Sequence, residues 1–150
     1  MNSTKRQLLN RCKEYVDARI STARQSMDHA QQAANEESKS SAGDKYETGR
    51  AMMQIERDKA ATQLEEALRL KAVLDQINPD VSNEKALLGS LVITSSKKIF
   101  ISIGIGKFSL DGDDFLIVAP ASPLGKALMG LKAKDRIVFN KEQIEILQIV

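Results

Sequence analysis

Residues 78–83 read NPDVSN, and the hydrophobic period of the chain changes across them. Before this stretch, apolar residues recur at heptad spacing. Leu9, Val16, Ala23 and Ala30 form one row, and Ile20, Met27 and Ala34 form a second, offset by four. Within 46–77 the pattern repeats: Met53, Ala60, Ala67 and Leu74 make a row, with Leu64, Leu68 and Ile77 beside it. A 4-3 alternation is the seam of a helix packed lengthwise on a partner. Two such helices, expected over 5–40 and 46–77 and joined by a short Gly-containing link, predict an antiparallel helical hairpin.

After Pro79 the period falls to two. LVITSS, KIFISIGIG, FLIVAP, RIVF and QIEILQIV are β-branched runs of strand length, alternating or continuously apolar. LDGDDF (110–115) reads as a hairpin turn. SPLGKALMG (122–130) reads as one short helix, with Ser122 as N-cap, Pro123 at the first helical position and Gly130 just past the end. The expected fold is α+β. A helical hairpin occupies 1–78, and 79–150 form a small, strongly bent antiparallel β domain with one short helix.

Composition narrows the function classes. Of 150 residues, 42% are hydrophobic and 28% charged, as in a soluble folded protein. There is no Trp, and Phe100, Phe108, Phe115 and Phe139 all lie in the second half, so the hairpin must bury Ala, Leu, Met and Ile. Residues 1–78 hold 13 basic and 12 acidic side chains, so the net charge of +2 divides evenly between the halves. Free DNA or RNA as the main partner calls for a concentrated basic face, which neither half offers. Cys12 is the sole cysteine, which excludes an internal disulfide and suits a reducing cytoplasm. The start, MNSTKRQLLNRCKEY, has no apolar signal-peptide core. FLIVAPA falls far short of the ~20 residues that span a bilayer. A soluble, cytoplasmic protein without a membrane partner is expected.

Common catalytic sets lack parts. One His (His29) and one Cys leave no zinc site and no Cys-His or Ser-His-Asp system. His29, in a polar helical stretch, reads as a solvated face residue. GIGKF (104–108) lacks the spacing of a phosphate loop. DGDD (111–114) lacks the spacing of an EF-hand, and a solvated turn accounts for it.

The link between the helices, SSAGDKYETGR (40–50), holds the one acidic arrangement of interest. Gly43 can end the first helix in the left-handed conformation. Asp44 can cap the second, with Glu47 reaching back to complete a capping box. The same pair can do more, because a carboxylate offers about four lone-pair sites and a helix N-terminus favours its ionised form. Two carboxylates at a tip make a weak half-site for Mg²⁺, which prefers carboxylates completed by phosphate oxygens and water.

With these residues in place, the chain resembles the GreA/GreB transcript cleavage factors of bacterial RNA polymerase, a helical hairpin followed by an FKBP-like β domain. GDKYE (43–47) is similar to the family's Gly-Asp-x-x-Glu tip. SPLGKALMGLKAKD (122–135) is close to its Ser-Pro helix followed by Leu-x-Gly-Lys-x-x-x-Asp. The resemblance covers nearly the whole chain, the hairpin by pattern more than by identity. It implies a monomeric elongation factor whose β domain grips the rim of the polymerase secondary channel through Ser122 and Pro123. Asp44 and Glu47 would then share a Mg²⁺ ion with the polymerase active site. The reaction implied is hydrolysis of the backtracked nascent RNA 3′ end by the polymerase's own nuclease activity, which the factor stimulates and does not itself possess. Lys39, Lys45 and Arg50 are candidate RNA contacts. The tip departs from the family pattern in KYETGRAMM, with Lys45 in place of Leu and Thr48 in place of Asn. Two other readings stay open: a secondary-channel modulator without cleavage activity, and a structural coiled-coil adaptor unrelated to polymerase.

Overall fold

The computed structural model describes residues 2–39 and 43–150, with side chains over 3–36 and from Thr48 onward. Two long helices, α1 (Asn2–Lys39) and α2 (Gly43–Asp75), precede six strands: β1 (Leu91–Thr94), β2 (Lys98–Ile101), β3 (Gly106–Leu110), β4 (Asp113–Val118), β5 (Arg136–Phe139) and β6 (Glu142–Ile149). A short helix, α3 (Pro123–Leu128), lies between β4 and β5. The chain forms two compact units. One is Glu14–Lys71; the other combines Met1–Lys13 with Ala72–Val150.

Glu14–Lys71 is a two-helix pair. Val16, Ile20, Ala23 and Ala30 of α1 are buried, as are Ala60 and Ala67 of α2. The rows expected from heptad spacing therefore form the seam. The helices run antiparallel: Lys71 pairs with Asp17 at 3.7 Å, while Met53 and Ala30 line one groove further along. Small alanines leave this seam thin. Leu68, expected beside it, is 42% exposed instead.

In the second unit, the helix ends belong to the β core. Leu8, Leu9 and Cys12 of α1 and Leu74 of α2 are buried there, and the Cys12 Sγ lies 3.7 Å from the Ser102 Oγ. The strand order is β3-β4-β2-β1-β6-β5. Every pairing is antiparallel except β2 with β4, which is parallel. The sheet is thus mixed, and the expected all-antiparallel sheet is corrected at one place. A plain hairpin from β2 would seat β3 beside it. Instead the chain passes through Ser102 and Ile105, whose N–H groups donate to the Val118 and Ile117 carbonyls, and β4 takes the inner position. Burial explains the choice. Phe115, Ile117 and Val118 of β4 are buried and Leu116 half-buried, which suits a strand covered on both faces. GKFSL of β3 alternates half-buried with exposed, as an edge strand does. At the other edge, β5 presents Arg136 and an exposed Val138. A charged, short edge of this kind resists pairing with another chain.

The LDGDDF turn forms as expected, with Asp111 and Gly112 at φ 52° and 83° joining β3 to β4. Beneath α3, Leu124 and Leu128 pack with Val92, Ile99, Val118 and Ile146 into one hydrophobic cluster.

Candidate functional site

The best-defined candidate residues stand at the start of α3. The Ser122 Oγ accepts from the Gly125 N–H at 3.0 Å and donates to the Ala119 carbonyl at 2.7 Å. This is the N-cap read from the sequence, with Pro123 at the first helical position and exposed. The corner is tight because Ala119, Pro120 and Ser122 all crowd Gly125. A Cβ on Gly125 would lie 2.1 Å from the Ala119 carbonyl oxygen and 2.9 Å from the Ser122 Oγ. Gly130 ends the element at φ 83°, as its position implied. Ser122 is therefore committed first to building the corner. Its hydroxyl uses its one proton and one of two lone pairs internally, leaving a single acceptor site for any partner.

At the other end of the molecule's sequence pattern, α2 begins at Gly43, so Asp44 and Glu47 belong to its first turn, three residues apart. That spacing places both residues on one face of the helix. The side chains of Asp44, Glu47, Lys39 and Lys45 lie outside the described residues. Arg50 is exposed on α2, and His29 is exposed on α1 beside a groove of about 630 Å³ that also holds Glu56 and Lys59. Among the described residues, no cluster of three or more His, Cys, Asp or Glu could hold a metal.

Two buried groups escaped the sequence reading. Lys5 is fully buried, and its ammonium donates to the carbonyls of Val81 at 2.5 Å and Val150 at 3.2 Å. Burial lowers its pKa from the ordinary lysine value. Its spacing was the available signal, since Lys5 lies seven residues before Cys12 and four before Leu9, both buried. Cys12 is buried too; desolvation raises its thiol pKa, and the Ser102 hydroxyl acts against that shift. Raised and enclosed, this thiol is a core side chain, not a nucleophile. Arg6, nearby in sequence, forms an ion pair with Asp80.

No protein-family model matches the chain, and no curated protein matches it. No helix among the described residues is long and apolar enough to cross a membrane.

Proposed function

We propose that this chain is a secondary-channel elongation factor of the GreA/GreB type, whose β unit is FKBP-like and docks on RNA polymerase. One observation carries the reading. A long antiparallel helix pair, with an Asp-x-x-Glu pair in the first turn of its second helix, precedes a sheet unit bearing a serine-capped, proline-started short helix. In this reading Pro123 and the Ser122 corner meet the rim of the channel, and the helix pair carries Asp44 and Glu47 toward the polymerase active site. There the two carboxylates would hold a Mg²⁺ ion shared with the enzyme. When bound, that ion stabilises the attacking and leaving oxygens of phosphodiester hydrolysis at the backtracked RNA 3′ end. Asp44 and Glu47 contribute fixed negative charge, and Lys39, Lys45 and Arg50 stand near enough in sequence to contact the extruded RNA. The factor supplies part of one metal site, so the nuclease remains the polymerase.

The test is RNA release from a stalled polymerase complex with the parent chain, Asp44→Asn and Glu47→Gln. Asn can still cap a helix and Gln can still close a capping box, so helix content and Tm should stay nearly constant. Cleavage should fall at least tenfold, because each change removes one of two anionic ligands. Added Mg²⁺ should restore part of it. Equal cleavage by all three proteins would reduce the pair to a helix cap. Binding without cleavage by the parent would favour a channel modulator, a reading that the replacement of the family's tip residues by Lys45 and Thr48 already supports. Absence of polymerase binding would sink both.

A further inference from the structure

The segment before β1 and the segment after α3 are tied together at a fixed junction. The Ala86 N–H donates to the Leu131 carbonyl and the Gly130 N–H to the Ala86 carbonyl, each at 2.8 Å. There Lys85 and Lys132 stand opposite one another in an isolated antiparallel bridge. Both are exposed, and so is Lys134. None of the three joins an ion pair among the described residues. Like charges directly opposite on paired strands are destabilising, so the free chain gains nothing from this placement.

Two carboxylates lie close in sequence, Asp135, whose Oδ2 accepts from the Lys132 backbone N–H at 2.8 Å, and the exposed Glu84, but neither forms an ion pair with these lysines among the described residues. The turn itself is held firmly, since the Lys134 N–H donates to the Ile146 carbonyl at 2.7 Å while Lys134 sits at φ 79°. A lysine costs more in that conformation than glycine would. Two unfavourable features thus converge on one rigid cationic surface. Beside it, Ala86 is buried between the exposed Lys85 and Leu87, and Leu87 is 44% exposed.

We propose that the surface formed by Lys85, Lys132, Lys134 and Leu87 binds an acidic, partly apolar segment of another protein. Charge complementarity sets the acidic character, and the exposed leucine sets the apolar part. A nucleic acid fits less well: none of these residues is aromatic, so bases have nothing to stack on. Arg136, next along the chain, is already paired with Glu145 at 3.9 Å. Because the backbone is fixed before binding, little ordering cost falls on the protein side. The inference stands on these residues and is independent of the polymerase reading.

The test is an NMR titration of the full chain with a synthetic peptide repeating Glu-Leu-Glu-Gly. An oligouridine RNA and phosphatidylserine-phosphatidylcholine vesicles are run in parallel. Amide signals of 84–87 and 130–135 should shift saturably with the peptide, and less at about 0.5 M salt, where screening is short-ranged. The Lys132→Gln/Lys134→Gln double variant should bind about three- to tenfold more weakly, as expected for two exposed ion pairs. Lys85→Gln and Lys132→Gln should each melt at or above the parent temperature, because each removes the like-charge pair. The proposal is overturned if the peptide gives no saturable shift at those signals. It is equally overturned if the RNA or the vesicles bind there more tightly than the peptide. A marked fall in Tm for the single variants would make the lysines structural and overturn it too.

Discussion

Replacing Gly125 with alanine isolates the physical demand of the α3 corner. A new Cβ would sit 2.1 Å from the Ala119 carbonyl oxygen, with the Pro120 carbonyl and the Ser122 Oγ at 2.9 Å. Ordinary contact begins near 3.4 Å, so the corner must open by more than 1 Å. The nearest obstacle is backbone, which cannot rotate away as a side chain can. Overpacking of this kind costs about 1–3 kcal/mol, and here the upper half of that range applies. Alanine returns about 1 kcal/mol through its better helix propensity, though a helix this short realises only part of it. A net loss of about 2 kcal/mol follows, which for a chain of this size lowers Tm by about 4–8 °C. Gly104 is the control: nothing lies within 4 Å of its would-be Cβ and its φ is not positive, so Gly104→Ala should leave Tm nearly unchanged. The readout is thermal unfolding followed by circular dichroism, with amide hydrogen exchange at Gly125 reporting the Ser122 cap. If Gly125→Ala and Gly104→Ala melt together, the close approach to Ala119 is not what glycine serves here.

Lys5→Met should destabilise by about 1–3 kcal/mol at neutral pH, because the Val81 carbonyl loses the Lys5 donor and the Val150 carbonyl keeps only the Leu91 N–H. Its pH dependence has a definite sign. The folded pKa is lowered, so between that value and 10.5 the unfolded state binds more protons and stability rises with pH. Denaturant titrations across the alkaline range should show the parent gaining on Lys5→Met, helped by a neutral amine that still has a proton for each carbonyl. Lys141→Gly should stabilise by about 1 kcal/mol, since Asn140 and Lys141 hold φ 51° and 66° in the β5–β6 turn, a conformation costly to side chains with a Cβ. A Tm that does not rise would show that the turn is not where that strain resides.

The seam, the period change and the α3 cap were legible because each is a local pattern with a local cause. The mixed sheet was not. FLIV announces a strand buried on both faces, but hydrophobicity carries no sign for chain direction, so β4 reads the same beside β2 in either orientation. Lys5 was hidden by its type. It lies four residues before Leu9 and seven before Cys12, yet a reading that counts only apolar residues passes over a lysine whose ammonium finds two carbonyls far away in sequence. Gly125 was hidden for a related reason, since its obstacle is the backbone of Ala119 brought close by the turn. The acidic pair is given by the sequence as a spacing, and its side chains lie outside the described residues. Asp44 and Glu47 share a face of α2 by arithmetic, whereas what their oxygens hold depends on what meets them.

The α3 corner limits what a partner can ask of it. The Ser122 proton goes to Ala119 and one lone pair to Gly125, so a docking surface can reach the hydroxyl only by donating to the remaining lone pair. A carboxylate or carbonyl on the partner gains nothing from Ser122, while an N–H or O–H group does. Pro123 has no N–H, and its ring is exposed at a helix start where the missing donor costs nothing. It offers shape and apolar area without polar competition. Under the proposed docking, recognition at this corner would combine a donor on the partner with a surface that fits the proline ring. The lysines at 85, 132 and 134 call for the opposite polarity, an acceptor-rich segment. The two surfaces therefore select different groups, and a partner that satisfied one with the chemistry of the other would leave its own polar groups desolvated and unpaired.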